Sequence, residues 1–165
     1  MKNLITLIIV TLIPILTIGQ NYILENEQVL LEFNTQINKR LIIAKDNSDK
    51  YLIYRYGTKD KIEFEYPNDK SDSWKKFKFS SYLRGGGKTN EGMDLNYLYF
   101  QVDNFKYVIY EEYFAETEQT NYGIKVIDSN SEKTTNIKAD KKSIKGTLFI
   151  FRDNEKIEKG DELFM

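Results

Sequence analysis

The chain has 165 residues, with 24 Lys and Arg against 25 Asp and Glu, so its formal charge is only −1. A nearly neutral surface argues against a polyanion recognised through bulk charge, and nucleic acid is not expected as a partner. The absence of His and Cys excludes Ser-His-Asp and Cys-His catalysis and the ordinary transition-metal sites. An enzyme would be left with carboxylates, a Ser-Lys pair or a tyrosine nucleophile; no catalytic residue, metal or cofactor is assigned.

The chain opens with Lys2, an apolar run from Leu4 to Ile18, and Thr17-Ile18-Gly19 with small residues at the −3 and −1 positions. That layout predicts a secretory signal peptide over residues 1–19 and a single domain over 20–165. Loss of Lys2 with the signal brings the charge to −2. No Cys follows the apolar run, so a lipid anchor is not expected. The predicted address is the periplasm or the medium, with no stable membrane insertion after cleavage.

Beyond residue 20 the chain reads as short strands between polar turns. Val29–Phe33 is a first strand, with a short helical turn over Leu24–Leu31 as the alternative. Arg40–Lys45 and Tyr51–Tyr56 flank the turn formers Asp46-Asn47-Ser48-Asp49 and predict a hairpin. After a turn at Gly57–Asp60, Lys61–Tyr66 alternates, placing Ile62, Phe64 and Tyr66 on one face and Lys61, Glu63 and Glu65 on the other. Pro67 ends that strand.

Trp74–Leu83 resumes alternation, and the glycine-rich stretch Gly85–Gly92 follows. Leu95–Val102 and Phe105–Phe114, joined by Asp103-Asn104, form the clearest hairpin. Gly123–Ile127 and Thr134–Lys138 pair around Asp128–Glu132, and Gly146–Arg152 is the last strand. No segment of ten residues carries a helical apolar stripe. The pattern predicts an all-β fold: a single-domain antiparallel β-sandwich or small β-barrel of eight to ten short strands. Twelve Tyr and ten Phe supply the core that a chain without disulfides needs.

Gly87-Lys88-Thr89 resembles the end of a phosphate-binding loop, but Tyr82 stands where that pattern needs Gly, and a strand follows instead of a helix. The same stretch reads better as a binding loop. Gly85, Gly86 and Gly87 permit close backbone approach, Arg84 offers a planar fork for a carboxylate, and Tyr82 and Lys88 flank it. The plain alternative is a wide hairpin with Arg84 paired to a surface Glu. Glu63 and Glu65, roughly 7 Å apart on one strand, point the same way and do not flank a bond from two sides as glycosidase carboxylates do. Asp128–Glu132 has alternating oxygen side chains but lacks the glycine and distal Glu of a calcium loop, so a turn is expected. Tyr97, Tyr99, Tyr107 and Tyr113, with Tyr110 on the other parity, either line a groove or fill the core.

Tyr51–Pro67, Ser81–Gly87 and Lys145-Gly146-Thr147-Leu148 together resemble a family of small secreted β proteins of Gram-negative bacteria with no assigned activity. The resemblance implies an address and no mechanism. In size, address and fold class the chain is also similar to the periplasmic lysozyme inhibitors. Ser80-Ser81-Tyr82 lacks the glycine of their Ser-Gly-x-x-Tyr loop, so no residue carries over. The expected function is that of a non-enzymatic binding protein, an inhibitor of a cell-wall-degrading enzyme acting through the glycine-rich loop. The alternative is a carbohydrate- or peptide-binding module in which Tyr97 and Tyr99 line a groove. The partner is accordingly a protein or a cell-wall glycan.

Overall fold

The computed structural model describes residues 21–165; the predicted signal peptide lies outside them. β1 (Glu27–Asn34), β2 (Arg40–Asp46), β3 (Leu52–Thr58) and β4 (Lys61–Tyr66) form one antiparallel meander. β5 (Lys78–Arg84), β6 (Met93–Val102), β7 (Phe105–Phe114), β8 (Gln119–Asp128) and β9 (Thr134–Lys138) form a second. Two short strands finish the sheets: β10 (Lys145–Gly146) joins β1 antiparallel, and β11 (Glu158–Lys159) joins β5 in parallel. The five-stranded and six-stranded sheets pack as a sandwich and do not close into a barrel among the described residues. A bridge between Thr35 and Ala139 links them at one corner.

The core between the sheets is largely aromatic. Phe100 of β6 stacks on Tyr66 (centroids 4.1 Å apart) and on Tyr107 (5.1 Å), while Tyr54 and Phe77 meet it edge-on. Leu31, Phe33, Leu41, Ile43, Leu98, Ile109 and Ile124 complete this layer. Both sheets are also apolar on their outer faces. On the first, Ile42, Ala44 and Ile53 pack under Tyr22, whose hydroxyl donates to the carbonyls of Thr58 and Lys61. On the second, Leu95, Tyr97, Tyr99, Val108 and Tyr110 pack under Phe164. Uninterrupted apolar runs such as Leu41-Ile42-Ile43-Ala44 and Tyr97-Leu98-Tyr99-Phe100 therefore belong to strands buried on both faces.

Three expectations are corrected. The pairs Gly57↔Ile62 and Tyr56↔Phe64 leave Glu63 as an extra residue, and this bulge rotates Ile62 to the outer cluster, away from Phe64 and Tyr66. Trp74 sits in a 3-10 turn, Ser73–Lys76, because the Ser73 hydroxyl accepts from Leu52 N–H and the indole donates to Asp49 O. Leu148–Phe151 is likewise a 3-10 turn and not the continuation of a strand. Its spacing buries Leu148 and Phe151 together and turns Phe149 and Ile150 to solvent. Thr147 and Glu111 accept from the turn's first amides, Phe149 N–H and Leu148 N–H.

Arg55, 2% exposed, is bound in a fork by Glu27 (2.6 and 2.8 Å) and by Glu65 (2.6 Å), tying β1, β3 and β4 together. Burial disfavours the Glu27 carboxylate, but hydrogen bonds from Arg55, the Leu24 amide and the Tyr51 hydroxyl outweigh it and hold its pKa below the ordinary value. That stabilisation is complete above the unfolded-state pKa of about 4.3 and is lost as pH falls through the lower folded value. The urea midpoint of the native chain should therefore fall between about pH 5 and about pH 3 more steeply than that of Glu27→Gln. Phe100→Ala should cost about 3–5 kcal/mol in the same urea titrations.

Candidate functional site

The glycine-rich stretch is the connection between β5 and β6, whose register closes at Arg84↔Met93. It is tightly built. Lys88–Asn90 forms a 3-10 turn, the Asn90 amide donates to Gly85 O (2.8 Å), and Gly92 N–H donates to Gly87 O (2.8 Å). Gly86 (φ 95°) and Gly87 (φ 60°, ψ −153°) occupy conformations that only glycine adopts without strain. Gly85 differs: its φ is not positive, and a Cβ there would meet nothing within 4 Å.

Arg84 does not present an open fork. Its Nε and one terminal nitrogen donate to Glu91 O (3.0 and 2.6 Å), and the same nitrogen reaches Glu91 Oε2 at 3.2 Å. The guanidinium thus clips the loop shut, the pairing that the plain hairpin alternative anticipates. Lys88 likewise reaches Glu118 at 3.0 Å. Solvent instead meets apolar side chains. Tyr82 is 40% exposed on one face of the hairpin, and Leu83 is 66% exposed on the other. Leu83 shares a register row with Asp94 and the exposed Tyr113, and Arg152 pairs with Asp94 while covering the Phe149 ring. Leu83, Gly85, Gly87 and Tyr113 line a shallow depression of about 270 Å³ there.

Tyr97 and Tyr99 lie elsewhere. Both are buried on the outer face of the second sheet, where Phe164 packs edge-on at 5.3 and 5.0 Å. Segment 160–165 holds that position: the Ser80 hydroxyl donates to Glu162 O, Lys106 pairs with Glu162, and Lys125 donates to Phe164 O. Phe164 thus covers both rings, and Tyr99 also borders a depression of about 250 Å³ with Lys78, Lys106 and Glu162. The two-residue turn after Val102 pairs Tyr97 with Tyr110, so those two share a face, whereas Tyr107 pairs with Phe100 in the inner layer. The parity grouping of the tyrosines is corrected accordingly; the odd sum of paired positions across Asp103-Asn104 was the available signal.

Burial is the main cause that raises the Tyr97 hydroxyl well above its ordinary pKa, with the Glu112 carboxylate adding to it. Burial and Glu112 together push Tyr110 up to about 12. Tyr99 is also pushed up to about 12, by burial first and then by Glu162.

Glu63 and Glu65 go to separate partners, Lys39 and Arg55. Asp128 accepts from Asn130 N–H and the Ser131 hydroxyl, which lowers its pKa and organises the turn. Sequence reasoning missed Glu112 and Lys125, a buried ion pair at 2.7 Å on the outer face of the second sheet. Comparison with protein-family models, with curated proteins and with solved structures finds no match. Among the described residues, no helix is long and apolar enough to cross a membrane.

The contrast between neighbouring glycines is measurable. Gly87→Ala should lose roughly 1–3 kcal/mol in denaturant titrations. Gly85→Ala should be neutral or stabilising by up to about 1 kcal/mol.

Proposed function

We propose that this is a secreted or periplasmic binding protein, not an enzyme, that inhibits a cell-wall-degrading enzyme with the end of the molecule carrying the 85–92 loop. The supporting observation is Gly85. Nothing among the described residues requires glycine there, since its φ is not positive and the space above it is open. A bare backbone on an internally braced loop, flanked by the exposed Leu83 and Tyr82, suits entry into a narrow cleft.

The contact is mainly apolar and backbone-mediated. Arg84 acts by holding the loop through Glu91, and Lys88 sits at its edge. Braced loops of this kind bind with little further loss of conformational entropy.

Purified protein should inhibit at least one of a panel of c-, g- and i-type lysozymes at micromolar concentration. Leu83→Asp and Gly85→Val should each reduce that inhibition more than about tenfold with the urea midpoint unchanged. Arg84→Ala should weaken it less and raise amide exchange at Asn90 and Gly92. Full inhibition by Gly85→Val, or none by the native protein against any member of the panel, would sink this reading.

A further inference from the structure

The outer face of the second sheet carries a cleft of about 210 Å³ between β7, β8, β9 and the residues that follow β1. Its formation starts from a missing side chain. In the row Tyr110↔Gly123↔Lys138, a Cβ on Gly123 would lie 2.5 Å from the Tyr110 hydroxyl oxygen, so only glycine lets that ring lie across β8. The Tyr110 hydroxyl then donates to Asn136 Oδ1 at 3.0 Å, which leaves the Asn136 NH₂ group for an outside acceptor.

The floor holds an unusual carboxylate. Glu112 is 8% exposed and lines the cleft. Its Oε1 takes both the Tyr97 hydroxyl (2.9 Å) and the Lys125 ammonium (2.7 Å). Oε2 takes no hydrogen bond from the described residues, yet no buried side-chain oxygen among them is both sealed from solvent and unpartnered. Oε2 must therefore reach solvent, and the cleft is where Glu112 meets it. A carboxylate fixed through one oxygen by two buried partners, with its other oxygen open to a cleft, is a strong and oriented acceptor for a hydroxyl.

The rim continues the pattern. The side-chain amides of Asn121 and Gln36 line the cleft and make no hydrogen bond within the described residues. An amide offers both donors and an acceptor, which matches a hydroxyl group that does the same. Lys125 is already engaged by Glu112. The charge left at the cleft is that of Lys138, which has no acidic partner among the described residues, and of Lys141, which donates to Gln119. The site thus pairs a hydroxyl-seeking floor with a cationic rim. Its volume, below the roughly 300 Å³ at which drug-sized pockets begin, suits a single ring.

We propose that this cleft binds a sugar ring bearing a carboxylate, of the uronic-acid class. Ring hydroxyls donate to Glu112 Oε2 and exchange hydrogen bonds with Asn121, Asn136 and Gln36, and the ligand carboxylate faces Lys138. The site uses neither the 85–92 loop nor its inhibitor role, so it stands whatever the lysozyme panel shows.

Titration of the native chain with D-glucuronate, followed by amide NMR shifts, tests the proposal, with D-glucose and acetate as parallel probes. The expected result is saturable shifts at Asn121, Gly123, Asn136 and Lys138 with a millimolar dissociation constant. Lys138→Ala and Asn121→Ala, both at positions outside the core, should each weaken binding roughly fivefold. Glucose should bind more weakly than glucuronate, and acetate should not saturate. Any of four results would overturn it: no shift at these amides up to about 50 mM, glucose binding as tightly as glucuronate, acetate saturating the same amides equally, or unchanged affinity in both variants.

Discussion

Phe100 is where the two sheets meet, and most of the architecture is arranged around that contact. Its ring is stacked between Tyr66 of the first sheet and Tyr107 of its own, and closed at the edges by Tyr54 and Phe77. A chain with no cysteine has no disulfide to join its layers and depends on packing for most of that contact, and aromatic rings bring the largest buried area per residue. The bulge at Glu63 belongs to the same requirement. It keeps Phe64 and Tyr66 facing Phe100 while sending Ile62 to the opposite cluster.

Packing does not stop at the inner layer. Each sheet has an apolar outer face, and each is covered by a chain segment close to one end of the described residues, through Tyr22 on one side and Phe164 on the other. Each outer face also contains one buried ion pair, Arg55–Glu27 and Lys125–Glu112. Such pairs are tolerable only when their remaining hydrogen-bonding capacity is met. Glu27 is fully engaged, by Arg55, Tyr51 and the Leu24 amide. Glu112 has both its bonds on one oxygen, and that asymmetry separates a structural carboxylate from one available to a ligand.

The glycine loop shows how charge and function come apart. Arg84 and Lys88 are the residues that chemistry first points to, yet each is held by a carboxylate of the same chain. An exposed ion pair of this kind contributes little stability, but here it restricts the loop's conformations. In the proposed binding role, recognition falls to the exposed groups Leu83 and Tyr82 and to the open backbone at Gly85.

Alternation, turn residues and the absence of helical stripes determined the all-β class and located the meander hairpins, because strand period and turn chemistry are local properties. The 85–92 connection was equally legible from its glycines. The long apolar runs of β2 and β6 signalled two-sided burial, but not which segment covers them. Only the tertiary structure decided that Leu148–Phe151 coils, since Glu111, 37 residues earlier, accepts its first amide. Only it decided that Arg84 turns inward, that Phe164 fills the space over Tyr97 and Tyr99, and that Glu112 keeps one oxygen open beside Asn136. Each of these depends on partners far apart in the chain or on competition among several carboxylates for few cations, and neither is a property of local sequence.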